Sequence, residues 1–133
     1  MSETDAVLAA NLEFYRAFAM RDEIAMEALW ARSLPVACTH PGWEPLSGRD
    51  AVIASWRSIL ANPDSPHAAC HDEEAYLYGD VAFVICEEEL PGNTLTATNV
   101  FAKEGGAWRM VHHHSGPVFQ RQTEVRVPKS RLN

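Results

Sequence analysis

Four period-two runs fill the second half of the chain, at residues 67–78, 81–90, 94–103 and 107–119. The breaks between them are Gly79-Asp80, Pro91-Gly92-Asn93 and Glu104-Gly105-Gly106. Alternation of side chains along a run marks a strand with two unlike faces. Breaks this short leave only antiparallel neighbours within reach, because a parallel partner needs a crossover of about a dozen residues. The sequence therefore predicts a four-stranded meander.

Ahead of the meander the period is helical. Val7, Leu8, Asn11, Leu12, Phe14, Tyr15 and Phe18 recur at helical spacing over residues 4–20, with Ser2 or Thr4 as the N-cap. Asp22 can cap a shorter helix that buries Ile24, Ala28 and Leu29 and ends before Pro35. Val36 to His40 reads as a short strand cut off by Pro41-Gly42. Ser47 with Asp50 resembles a loosened capping box, opening a third helix with Val52, Ile53, Trp56, Ile59 and Leu60 on one face. Asn62-Pro63 stops it.

The order α-α-β-α-β-β-β-β is an α+β layout. It predicts one cone-shaped domain over residues 1–120, with three N-terminal helices packed on a strongly curved, mostly antiparallel sheet. The mouth of the cone would hold polar residues from several strands. Residues 121–133 form a basic tail, with Arg121, Arg126, Lys129 and Arg131 against Glu124. An extra strand, an interface arm or disorder would each suit it.

A chain of 133 residues can bury roughly 70% of its unfolded surface without staples. Its net charge of −7 argues against nucleic acid and anionic membranes as partners. Cys38, Cys70 and Cys86 are odd in number and widely spaced, which favours a reducing cytoplasm over a disulfide framework. They read as small buried hydrophobes. The acidic N-terminus carries no signal-peptide pattern, and no apolar run approaches the ~20 residues of a membrane span.

Half of the histidines lie in the last run, at His112, His113 and His114. Strict alternation places Trp108, Met110, His112 and His114 on one face, and Arg109, Val111, His113 and Ser115 on the other. An apolar floor ending in two histidines is the make-up of a small-ligand pocket, and equally of a satisfied interior that binds nothing. His40 ends a strand just before Pro41-Gly42-Trp43, where it could transfer protons near neutral pH or simply hold a loop. His112 and His114, two apart, could address one ion with His40, but no carboxylate is tied to them by spacing. Neither a metal nor another cofactor is expected. In Glu87-Glu88-Glu89, either Glu88 or its two neighbours must face inward, as a general base or a partner for a histidine.

Three stretches resemble a known family: Thr39-His40-Pro41-Gly42-Trp43, then Ser47-Gly48-Arg49-Asp50-Ala51-Val52-Ile53, then the run from Trp108 to Pro117. With the element order, they resemble the nuclear transport factor 2-like superfamily, in its SnoaL-like branch, over residues 4–120. The last stretch is also similar to the closing strand of the calcium/calmodulin-dependent kinase II association domain, an assembly module. Steroid isomerases of this superfamily carry an Asp base followed by Pro, and the resemblance places His40 there. It places Asn99 at their protonated-Asp oxyanion donor, a role worth ~3–4 kcal/mol. Their first-helix Tyr lands near Phe14, with Tyr15 out of register and facing elsewhere, which argues against true steroid isomerase activity.

Two readings follow from the resemblance. In one, an isomerase, cyclase or lyase holds a small apolar or aromatic ligand, with His40 and Asn99 catalytic. Phe14, Trp43, Trp56, Phe101, His112 and His114 then contact the ligand, while Phe18 and Trp108 serve mainly as core. In the other, the chain is a non-catalytic homodimerisation or ligand-binding module whose outer sheet face, including Thr94, Thr96 and Thr98, pairs with a second copy.

Overall fold

The first helix, α1 (Glu3–Ala19), begins where the Ser2 hydroxyl accepts the Asp5 N–H at 3.1 Å, with Glu3 and Asp5 in the first turn. Its buried side is Val7, Asn11, Phe14, Tyr15 and Ala17. Leu12, expected on that side, lies about 120° round the helix from its centre and is exposed. The buried arc is wide because the sheet curls around the helix. Phe14 and Tyr15, about 100° apart, both fit inside it. Tyr15 is therefore interior, contrary to the expectation that it faces elsewhere.

In α2 (Glu23–Leu29) the Asp22 carboxylate accepts the Ala25 N–H at 3.0 Å. The buried pair is Met26 and Leu29, one helical step of three apart. Ile24, at 82% exposure, and Ala28 face outward, which corrects the expected stripe. Next come β1 (Ala37–Thr39) and a short β2 (Leu46–Ser47) that pairs antiparallel with it. Because Ser47 is held in that pairing opposite Ala37, it cannot cap α3 (Arg49–Ala61). The N-cap is Gly48, at φ +90°, and no side chain caps this helix. Arg49 instead reaches back to the carbonyls of Glu27, Trp30 and Ala31 at 2.7–3.0 Å, satisfying groups left open where α2 ends.

The meander forms as predicted, with β3 (Ala69–Tyr78), β4 (Val81–Leu90), β5 (Asn93–Glu104) and β6 (Ala107–Pro117) pairing antiparallel in sequence. β1 adds to β6 in parallel, giving a six-stranded mixed sheet of order β2-β1-β6-β5-β4-β3. The three helices pack on its inner side around Phe14, Met26, Trp30, Trp56, Phe101 and Met110. No helix among the described residues is long and apolar enough to cross a membrane. The computed structural model describes residues 1–120; the extra strand, interface arm or disorder expected for 121–133 lies outside the described residues.

One irregularity decides the site. Val100 pairs with His112, but Phe101 pairs with Met110, so Val111 is an extra residue in β6. Such a bulge resets the alternation. Trp108 and Met110 are buried before it, and His113 and Ser115 after it. His112 and His114 are thereby turned to the outer side, which overturns the expected sharing of a face with Trp108 and Met110.

Candidate functional site

A cavity of about 300 Å³ opens beside α3, bounded by the loop after β1 and the ends of β4 and β5. Its apolar wall includes Phe18, Trp43, Trp56, Ile59, Leu90 and Leu95, and its interior polar groups are His40, Glu88 and His113. The volume sits at the small end of ligand pockets, and the composition, mostly apolar with a few convergent polar groups, is theirs.

His40 stands just past β1, its ring edge-on to Trp43 and Trp56 with centroids 4.8 Å away in each case. The Ser55 hydroxyl gives its one proton to the Val52 carbonyl at 2.7 Å. The Ser55 oxygen must then accept from His40 Nε2–H, at 2.9 Å. The lone pair of this imidazole is thus on Nδ1. Burial lowers its pKa to about 4, so the ring is neutral at pH 7. Cys38 Sγ lies 3.7 Å from Nε2 and 3.9 Å from Nδ1, and burial pushes that thiol up to about 12.

His113, brought inward by the bulge, donates Nδ1–H to Asn99 Oδ1 at 2.6 Å. Full burial, with His40, His112 and His114 nearby, brings its pKa down to about 3. Asn99 donates its amide hydrogens to Asn11 Oδ1 at 2.9 Å and to the Tyr15 hydroxyl at 3.1 Å. Tyr15 donates onward to Glu88 Oε2 at 2.6 Å, and Ser115 donates to Glu88 Oε1 at 2.5 Å. Burial and the Glu88 charge raise the Tyr15 phenol, keeping it protonated. Burial raises the Glu88 carboxyl, while its two O–H partners pull the other way. Donors therefore run in one direction from His113 to Glu88, and His113 keeps its lone pair on Nε2.

Of the residues singled out from the sequence, His40, Trp43 and Trp56 come together on the cavity wall. Asn99 is wholly buried behind His113, and its N–H groups already have acceptors, so it positions the histidine and has no proton free for an oxyanion. Phe14 packs edge-on to Trp56 with centroids 5.3 Å apart, one layer behind the cavity, and Phe101 is core. His112 donates Nδ1–H to the Ala37 carbonyl at 3.0 Å, and His114 is exposed. The grouping of His40 with His112 and His114 is not assembled, since the latter two lie on the opposite side of the sheet. No cluster of three or more His, Cys, Asp or Glu able to hold a metal occurs among the described residues.

Residue pattern alone does not mark His113, Ser55 or Tyr15 as site residues, and it leaves the side faced by Glu88 open. The trace of the bulge is the adjacent apolar pair Met110-Val111, which strict alternation does not accommodate. For Glu88 the signal is the small or thiol residues Ala82, Val84 and Cys86, which share its parity and are buried with it.

The chain is similar to several known proteins. It is 34% identical over 114 residues to F-box protein SKIP8 of Arabidopsis thaliana, covering 84% of this chain and 49% of that protein. It thus spans about half the length of that relative. A crystal structure from Streptomyces avermitilis, described as a candidate dehydratase of the NTF2-like family, superposes with TM-score 0.79 at 31% identity, over 87% of this chain and 96% of that one. A structure from Thiobacillus denitrificans, described as a candidate calcium/calmodulin-dependent protein kinase type II association domain, gives TM-score 0.73 at 36% identity, over 83% and 93%. These likenesses assign the three-helix, six-strand cone to the NTF2-like fold. Residues 7–120 match the sequence profile of the SnoaL-like domain, and the chain belongs to that family.

Proposed function

We propose that the cavity binds a small, largely apolar molecule and that His40 acts on it as a general base in an isomerase- or lyase-type reaction. The observation that carries this reading is the Ser55–His40 bond, which leaves a neutral imidazole with an available lone pair on an aromatic wall. His40 Nδ1 takes a proton from a substrate carbon next to a carbonyl. Returning it to another carbon completes an isomerisation; giving it to a departing hydroxyl completes a dehydration. A base with a pKa of about 4 is weak, so the substrate C–H must itself be acidified. The dehydratase description of the Streptomyces structure supports the lyase form.

Thermal-shift screening of small ketones, aromatic acids and steroids, on wild type and His40→Ala together, tests this. A ligand at about 100 times its Kd adds ~2.7 kcal/mol to stability. A hit whose turnover survives His40→Ala unchanged removes the base.

A second reading, homodimerisation through the outer sheet face, is favoured by a specific patch. Tyr76 and Tyr78 stack on Phe83 with centroids at 4.8 and 5.8 Å, and Val81 and Ile85 continue the strip while more than 40% exposed. An apolar strip of this kind suits a two-fold contact with a second copy. The association-domain description of the Thiobacillus structure points the same way. The dimer and the pocket use opposite sides of the sheet and can coexist. The three cysteines are free thiols, which fits a reducing cytoplasm.

A further inference from the structure

Glu88 is 2% exposed, lines the cavity, and has no cationic partner among the described residues. The ion pairs there use Glu3, Glu13, Asp22, Glu27 and Glu89 instead. Burial raises the Glu88 carboxyl, and against it both oxygens accept O–H donors, from Tyr15 and Ser115, which support the ionised form that a cation would complete. Hydroxyls orient a carboxylate but do not neutralise it, and an unpaired buried charge is costly. No lysine or arginine lines the cavity among the described residues.

The neighbouring histidines add acceptors. His113 uses its Nδ1–H on Asn99 and His40 its Nε2–H on Ser55, so each keeps a lone pair on its other nitrogen. The Trp56 Nε1–H is buried and has no hydrogen-bond partner among the described residues. The interior polar groups are thus one carboxylate and two neutral imidazole acceptors, beneath the rings of Phe18, Trp43 and Trp56.

We infer that the ligand of this cavity is a compact organic cation, an amine, amidinium or guanidinium on an apolar body, whose N–H groups meet Glu88 and the lone pairs of His113 and His40. The charge completes the missing partner of Glu88, and aromatic walls favour a cation close to their faces. An anion would meet the carboxylate head-on; a neutral alcohol could donate a hydrogen bond but would leave the buried charge unbalanced. The inference rests on the reading that the cavity takes a small molecule at all, and the test separates the two.

Calorimetric titration of the full chain at neutral pH with benzylamine and benzamidine, benzyl alcohol and benzoate tests the charge class. The cations should bind, benzyl alcohol at least about tenfold more weakly, and benzoate not measurably. Glu88→Gln should cost the cations at least about tenfold and cost benzyl alcohol clearly less. The charge class is overturned, and the pocket kept, if benzyl alcohol or benzoate binds wild type as well as the cations do. Equal cation affinity in wild type and Glu88→Gln overturns it too. Silence from all four probes overturns the pocket together with it. The wild-type ranking alone decides the charge class should Glu88→Gln not fold.

Discussion

The Nδ1 of His113 lies 2.6 Å from the side-chain oxygen of Asn99, and this one bond fixes the direction of the whole interior network. Because Asn99 accepts from His113, its amide donates to Asn11 and Tyr15, and the Tyr15 hydroxyl donates to Glu88. Asn99→Leu keeps the volume but strips the acceptor from His113 and the donor from Asn11. Leaving buried polar groups unsatisfied should destabilise the fold by about 2–4 kcal/mol, read from urea unfolding. A loss within ~0.5 kcal/mol would mean that the network carries little.

Stability should depend on pH in the direction set by the two buried histidines. Their folded pKa values, about 4 for His40 and about 3 for His113, lie below the ordinary histidine value near 6.5. Between about pH 6.5 and 4 the unfolded chain binds protons that the folded chain refuses. Their contribution is therefore full above pH 6.5 and is lost as pH falls through that window, by up to ~1.4 kcal/mol per pH unit for each histidine. Glu88, with its carboxyl raised, has the opposite sign and offsets part of the loss at the acid end. His40→Gln should lower the slope between pH 5 and 6 by about one proton. An unchanged slope would show that His40 is not held neutral.

The bulge at Val111 makes a sharper demand. Inserting one alanine between Val111 and His112 shifts the parity of every later residue, turning His112 and His114 inward and driving His113 and Ser115 out. Asn99 and Glu88 would lose partners at once, so the variant should fail to fold cooperatively by circular dichroism. Val111→Ala keeps the residue count and should cost only about 1 kcal/mol. A folded insertion variant would show that the strand accepts either parity.

The meander was legible because its short breaks permit only antiparallel neighbours, and His40 was legible because Pro41-Gly42 marks a strand end at the rim. His113 was not, since a bulge moves every later side chain to the other face while leaving composition unchanged. Glu88 stayed ambiguous because β4 is apolar on both sides, with Ala82, Val84 and Cys86 inside and Phe83 and Ile85 outside. A narrow apolar stripe on α1 leaves Tyr15 outside; the curled sheet buries a wider arc of the helix than a flat one would, and Tyr15 lies within it.

On the outer face, Ile85 is 42% exposed and can be charged without disturbing the monomer core. If a second copy covers this strip, Ile85→Glu should convert a dimer to a folded monomer in light scattering at micromolar concentration, with thermal stability changed by no more than the loss of association. A wild type already monomeric under those conditions would count against the dimer. Association undiminished in Ile85→Glu would move the interface elsewhere.

The proposed base chemistry and the acceptor-lined cavity both require two neutral imidazoles protonated on opposite ring nitrogens. Nitrogen-15 spectra of the imidazole rings at neutral pH measure this directly. Neutral rings are expected, with the proton on Nε2 in His40 and on Nδ1 in His113. An imidazolium signal from either ring, or the proton of His113 on Nε2, would contradict this assignment.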